Sequence, residues 1–269
     1  MNQILRKFFI NLHSGKKMSG ELFERQITFL FEHLVKSSDF VVDGGASYGR
    51  HTRVLSKLIG NEGKAYCFEP IPSMASKLDD LNLKNVSIFE VGLASTSGRA
   101  DFSYIPENSG YSGLAKRDDI PGEYSVENFQ IHIDQADELL KNREKRIALI
   151  KLDLEGGEFY ALLGFRDILI NDRSIVLFEN GLEETSKLYG YEEKEFFSYF
   201  NSIRYKIIDC FGQEIKSFNS FTKHQGWQFI AYPQEKRAIL LKLTTIYSLL
   251  QASKSVLLGE NLSKFDGRI

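Results

Sequence analysis

Cysteine and proline are scarce in this chain, and neither sign of charge dominates it. Two cysteines in 269 residues, Cys67 and Cys210, cannot build a disulfide framework. Both sit in apolar runs that read as strands, which fits buried thiols in a reducing compartment. Five prolines leave no room for a Pro-rich linker. The 34 basic and 36 acidic residues leave a formal net charge of -2, which argues against a dominant electrostatic grip on nucleic acid but leaves room for a local basic patch; no nucleic-acid partner is expected. Long apolar runs are missing as well. The segment Met1 to His13 is basic and aromatic, but Phe8-Phe9-Ile10 is far too short to span a bilayer and no small-residue cleavage site follows. A cytoplasmic chain without stable membrane insertion is the expectation.

What is present is an ordinary globular composition. Hydrophobic residues at 42% and charged residues at 26% argue against a disordered or collagenous chain, and the length suffices for one large α/β domain. Short β-branched and aromatic runs alternate with amphipathic segments. A helix is expected over Glu21 to Lys36, a strand at Phe40-Val41-Val42, a helix from Arg50 to Ile59 and a strand at Ala65 to Phe68. Met74 to Leu81 reads as a helix, and Val86 to Val91, Ile147 to Leu152 and Ile175 to Phe178 read as strands. This alternation implies a parallel sheet covered on both faces. Ile203 to Phe211 and Trp227 to Tyr232 also read as strands, but residues 212–226 between them lack helical periodicity. Without a helical crossover, these two most simply pair antiparallel.

The division expected is an N-terminal arm at 1–20, a main domain at 21–233 and a C-terminal helical extension at 234–269. Gly, Ser and Asn gather between Ser95 and Asn128, which suggests an insertion at about 95–128 with one strand at Arg99 to Tyr104. In the extension, Ala238 to Gly259 places Ile239, Leu240, Leu243, Ile246, Tyr247 and Leu250 at helical spacing. That amphipathic helix would pack on the domain or on a second copy of the chain, giving a homo-oligomer.

The most informative segment leaves a strand and enters a helix: Asp43, Gly44, Gly45, Ala46, Ser47, Tyr48, Gly49. Glycines here permit positive φ and close approach of a ligand to the backbone. A G-x-G-x-x-G reading fails at Ala46, whereas D-x-G-x-x-x-G matches at Asp43, Gly45 and Gly49. A carboxylate before the loop would repel a pyrophosphate at the helix N-terminus. It would attract the ammonium and sulfonium of S-adenosylmethionine. Glu69 follows in Cys67-Phe68-Glu69-Pro70, twenty residues past Gly49. An acid there accepts hydrogen bonds from the two ribose hydroxyls of an adenosine cofactor. Pro70 belongs to the same turn, and Gly92-Leu93, after the third strand, lies where an adenine edge would rest.

These segments resemble the FkbM family of S-adenosylmethionine-dependent methyltransferases. The resemblance rests on Val41-Val42-Asp43-Gly44-Gly45-Ala46, Phe68-Glu69-Pro70, Ala136-Asp137-Glu138-Leu139-Leu140, Leu162-Leu163-x-Phe165 and Val176-Leu177-Phe178-Glu179. Above all it rests on Ile150-Lys151-Leu152-Asp153-Leu154-Glu155-Gly156-Gly157-Glu158, which is similar to the family's Lys-Ile-Asp-Val-Glu-Gly-x-Glu. It runs from about Glu21 to Asn180. Gly157 departs from the bulkier residue usual there, and residues 95–128 and those beyond Tyr191 show no resemblance. The fold implied is a Rossmann-type α/β domain, with a mostly parallel seven-stranded sheet, helices on both faces and a terminal antiparallel strand.

For the chemistry, strand alternation puts Lys151, Asp153 and Glu155 on one face, and ligands of open α/β sheets bind beyond the carboxyl ends of the strands. Methyl transfer to a hydroxyl needs the acceptor oxygen held near the methyl carbon and its proton removed. Asp153 is expected at the cofactor's amino-acid end and Glu155 as the group that orients or deprotonates the hydroxyl. His132, alternating with apolar residues in Gln130-Ile131-His132-Ile133, is a further candidate base if it faces the crevice. Glu158 falls in the first turn of the next helix, where a carboxylate favours the dipole. Asp137 most simply caps the helix carrying Leu139 and Leu140. Asp153 with Glu179 and Asn180 would offer oxygen ligands to a Mg²⁺-type ion if the two strands are neighbours, but no metal ligand is assigned.

The expected activity is O-methyl transfer to a hydroxyl of a small molecule or a glycan. The alternatives are an NAD(P)-dependent oxidoreductase, which Asp43 and the terminal strand pair speak against, and a non-catalytic binding protein retaining the cofactor fold.

Overall fold

In a computed structural model the structure describes residues 16–117, 124–209, 212–224 and 226–245. Cys210, Phe211, the arm before Lys16 and the extension beyond 245 lie outside the described residues. The described residues open on helix α1 (Lys16–Leu34), followed by β1 (Phe40–Gly44), α2 (Arg50–Ile59), β2 (Lys64–Phe68), α3 (Pro72–Asp79), β3 (Val86–Phe89) and the short β4 (Gly92–Leu93). Next come β5 (Gly98–Tyr104), β6 (Glu127–Asp134), α4 (Ala136–Leu139), β7 (Ile147–Leu152), α5 (Glu158–Gly164), α6 (Arg166–Asp172) and β8 (Ile175–Glu179). The last third holds α7 (Glu183–Tyr189), α8 (Glu193–Ser202), β9 (Tyr205–Asp209), α9 (Phe218–Thr222), β10 (Gln228–Pro233) and α10 (237–245).

Seven strands form the main sheet in the order β3-β2-β1-β7-β8-β10-β9. Pairing is parallel from β3 through β8, and β10 runs antiparallel to both of its neighbours. The last strand of the described residues therefore slots between β8 and β9, closing the sheet at β9. The order reverses at β1, so the crevice outside the carboxyl ends of β1 and β7 is the topological switch point at which such sheets bind ligands.

Period-two alternation divides the strands between two cores. Val42, Ile150, Leu152, Val176, Phe178, Phe229 and Ala231 pack with α5, α6 and α8 on one face. Val41, Ala65, Cys67, Leu149, Leu177, Ile230 and Tyr232 pack with α1, α2 and α10 on the other. Each large apolar side chain removed from water in this way contributes roughly 1.5–3 kcal/mol, which is why the central strands read as unbroken apolar runs. Cys67 is a buried free thiol in the second core, and burial pushes its pKa up.

Two segments differ from the expectation. The stretch between β9 and β10 contains α9, a single turn too short to show a periodicity, whose Ser217 hydroxyl accepts from Ser220 N at 3.2 Å. The insertion is also better built than one strand. β5 and β6 pair antiparallel over their whole length and, with β4, make a second three-stranded sheet beside the crevice. Among the described residues no helix is long and apolar enough to cross a membrane.

Candidate active site

A cavity of about 310 Å³ opens at the switch point. Its floor is the turn between β1 and α2. Gly45 has φ +70°, and a Cβ there would sit 1.9 Å from the carbonyl oxygen of Asp153. Gly49 has φ +86°, and a Cβ would strike Leu78 and Leu81. No other residue type fits either position without moving backbone or core. The turn is held from below by Gly45 N and Ala46 N, which donate to Phe68 O at 3.0 and 3.1 Å. Ala46 and Ser47 line the cavity, and Tyr48 stands at its mouth with 50% of its surface exposed.

Glu69, just past β2, is buried and lines the cavity. Oε2 accepts from Ser47 N at 2.8 Å and Oε1 from Ile71 N at 2.9 Å. A carboxylate has about four lone-pair sites, so each oxygen keeps one for a ligand. Burial raises the pKa of Glu69, outweighing those two backbone donors. Pro70, Gly92 and Leu93 continue the wall, and Phe102 and Ile131 of the small sheet close it with apolar surface.

Asp43 is placed differently from the expectation. Alternation turns its side chain to the same face as Val41, onto α2, where it is fully buried behind the wall. Oδ2 accepts from Thr52 Oγ1 at 2.7 Å, and Oδ1 lies 3.5 Å from Lys151 Nζ. Gly44 also lies behind the wall and contributes through its backbone: its carbonyl accepts from Asp153 N at 3.2 Å. Lys151 shares the strand face of Asp153, as alternation places it, but has a role that its position in the run does not state. Its buried ammonium reaches Asp153 Oδ2 at 3.4 Å and donates to Gly45 O at 3.1 Å and Gly44 O at 3.4 Å. Burial alone would lower its pKa, but Asp153 and Asp43 hold it above the ordinary lysine value. The signal was available, since a lysine inside a continuous apolar strand requires buried partners.

Lys151, Asp153 and Glu155 all line the cavity. Glu155 takes a left-handed φ of +54°, a conformation that costs a non-glycine residue about 1–3 kcal/mol and clusters at functional sites. Its carbonyl is clamped by Arg117 Nη2 and Tyr189 OH, each at 3.2 Å. Burial, with Asp153 and Glu179 nearby, pushes its carboxyl up to about 9. Glu179 is raised to about 8, first by burial and then by Asp153, and it hydrogen-bonds Gln228 Nε2.

Two further residues, His132 and Asp137, sit elsewhere than expected, whereas Glu158 lies in the first turn of its helix as the sequence places it. His132 is exposed on the outer face of β6, with its Nε2 3.5 Å from Arg99 Nη2, because the phase of the alternation turns Ile131 into the cavity instead. Asp137 does not cap its own helix; its carboxylate accepts from Asp167 N and Ile168 N at the start of α6. Glu158 is buried at the start of α5 and ties down the preceding loop by accepting from Leu154 N at 2.6 Å. β7 and β8 are neighbours, yet Asn180 Oδ1 is taken by Leu182 N. Among the described residues no three His, Cys, Asp or Glu side chains group as metal ligands.

A sheet of this order with an acid-lined cavity at its switch point is a Rossmann-type α/β fold. The chain belongs to the FkbM methyltransferase family: the Methyltransferase FkbM domain matches residues 43–210, more than half of its length.

Among curated proteins it is 26% identical over 206 residues to the AMB antimetabolite synthetase AmbE of Pseudomonas aeruginosa, a match covering 62% of this chain and 10% of that protein. The chain thus spans about a tenth of the length of that relative. Among solved structures it is similar to methyltransferase FkbM from Methylobacillus flagellatus, with 14% identity, TM-score 0.43 and coverage of 73% of this chain and 43% of that one. It is similar also to Aeropyrum pernix fibrillarin in complex with S-adenosyl-L-methionine, with 13% identity, TM-score 0.45 and coverage of 79% and 74%.

Proposed function

We propose that the chain transfers the methyl group of S-adenosylmethionine to a hydroxyl of a small molecule or a glycan. The observation that carries this reading is a single cavity joining Glu69, at the end of β2, to Asp153 and Glu155, past the end of β7. The donor set suits the cofactor. Glu69 keeps one lone pair on each oxygen for a vicinal ribose diol, Gly92 and Leu93 form the edge for an adenine, and the open backbone of Gly45 to Ser47 admits close approach. The acidic lining suits a ligand that carries a sulfonium and an ammonium, and repels a pyrophosphate.

When bound, S-adenosylmethionine supplies an electrophilic methyl group. The chain's own residues do the rest. Lys151 fixes the glycine turn against the end of β7, and Asp153 presents its carboxylate to the cofactor's sulfonium. Glu155 orients the acceptor hydroxyl and takes its proton. With its carboxyl raised by burial and by its acidic neighbours, the protonated form dominates at pH 7 and the ionised form is a strong base. The relationship to a segment of an antimetabolite synthetase supports a small-molecule acceptor.

The test is incubation with S-adenosylmethionine and a panel of hydroxyl-bearing acceptors. Formation of S-adenosylhomocysteine with an O-methylated product supports the reading. Cofactor-dependent methylation of nitrogen or carbon acceptors alone would contradict the hydroxyl assignment, and reduction of NAD(P) would favour the oxidoreductase.

A further inference from the structure

The cavity has a wall that the glycine turn and strand ends do not supply. Glu24 projects into it from α1, which precedes the segment matched by the family. Its Oε2 lies 2.8 Å from His51 Nε2 and 3.4 Å from Arg50 Nε, both in the first turn of α2, and all three residues line the cavity. Burial raises the pKa of Glu24, but the contact with His51 and the charge of Arg50 outweigh it and hold the carboxyl below its ordinary value. The Glu24 side chain keeps 28% of its surface exposed, so an ionised carboxylate remains open to a ligand beside the glycine turn.

The other acids of the cavity are committed elsewhere. Glu69 spends two lone pairs on backbone donors and suits the ribose. Asp153 is opposed by Lys151 at 3.4 Å. Glu155 is raised to about 9 and is mostly neutral at pH 7. A wall carrying a carboxylate beside an imidazole and a guanidinium offers both signs of charge within one contact distance. That pattern complements a zwitterion: the carboxylate faces an ammonium, and the guanidinium and imidazole face a carboxylate.

We infer that Glu24, together with Arg50 and His51, forms the subsite for the α-amino-acid end of S-adenosylmethionine, which makes α1 part of the cofactor site. This rests on the cofactor reading above.

Calorimetric titration of the full chain with S-adenosylhomocysteine and with 5′-methylthioadenosine, the same nucleoside without the amino-acid end, tests it. Wild type should bind the first more tightly. Glu24→Gln should weaken S-adenosylhomocysteine about ten-fold or more, the loss expected for a charge-assisted hydrogen bond, and leave 5′-methylthioadenosine unchanged. Arg50→Gln, a change at a half-exposed side chain, should show the same selectivity and keeps the test decisive if Glu24→Gln does not fold. Unchanged binding of both ligands by the folded variants would overturn the inference, as would equal weakening of both, because Glu24 would then merely support the turn. Wild type binding neither ligand would instead defeat the cofactor reading on which the inference stands.

Discussion

Replacing Lys151 with methionine tests how the site is held together. The ammonium is buried and bridges Asp43, Asp153 and the carbonyls of Gly44 and Gly45 at 3.1–3.5 Å. Methionine fills much of the same volume, so the change removes charge and donors more than packing. Asp43 Oδ1 would lose its cation in a fully buried position, retaining only Thr52 on Oδ2. Removing one partner of a buried pair costs about 3–5 kcal/mol. At roughly 2–4 °C per kcal/mol for a chain of this size, the melting temperature should fall by about 6–20 °C. Thermal unfolding followed by circular dichroism measures this. The double variant Asp43→Asn with Lys151→Met removes the stranded charge and should recover part of the loss. A Lys151→Met protein as stable as wild type, or a double variant no better than the single one, would refute the assignment of Lys151 as the pin of the site.

Glu69→Ala should keep the fold and weaken S-adenosylhomocysteine by about 1.5–3 kcal/mol, the worth of hydrogen bonds to a charged group; an unchanged dissociation constant would remove the ribose assignment. Gly45→Val would put a branched Cβ where only 1.9 Å separates it from Asp153 O and would force φ +70° on a β-branched residue; normal cofactor binding by that variant would mean the turn does not cradle the ligand. If Glu155 takes the proton, wild-type turnover should rise between pH 7 and 9 and Glu155→Gln should lose about 100- to 10,000-fold with a flattened profile; an unaltered pH profile in the variant would assign the base elsewhere. Because Glu155 binds its proton more tightly folded than unfolded, stability should fall as pH rises from the ordinary carboxyl range to about 9, and Glu155→Gln should flatten that slope in denaturant titrations.

Much of this was legible before the structure, for physical reasons that differ by residue. The bounds of β7 and α2 are those the sequence indicates: Ile147–Leu152 is apolar because neighbours cover it on both faces, and Arg50–Ile59 presents one buried stripe. Asp43, Gly45, Gly49, Glu69, Asp153 and Glu155 all lie in or directly behind the cavity. The phase of alternation was not legible, since a strand pattern does not state which face is inside. That is why His132 points outward, and why Asp43 faces Lys151 behind the wall rather than the cavity. Spatial order was hidden too: nothing local in Gln228–Pro233 announces that β10 inserts between β8 and β9. Glu24 gave no signal, because a polar residue on an amphipathic helix looks solvated until the turn of another helix is packed against it.

The central claim is that this cavity holds S-adenosylmethionine by its ribose and its cationic end. Its most direct test is calorimetric titration of the purified chain with S-adenosylhomocysteine and, separately, with NAD⁺ and NADP⁺. The account predicts saturable binding of one S-adenosylhomocysteine per chain, weakened in Glu69→Ala, and no binding of either dinucleotide. Saturable binding of a dinucleotide with none of S-adenosylhomocysteine, by a chain shown to be folded, would contradict it.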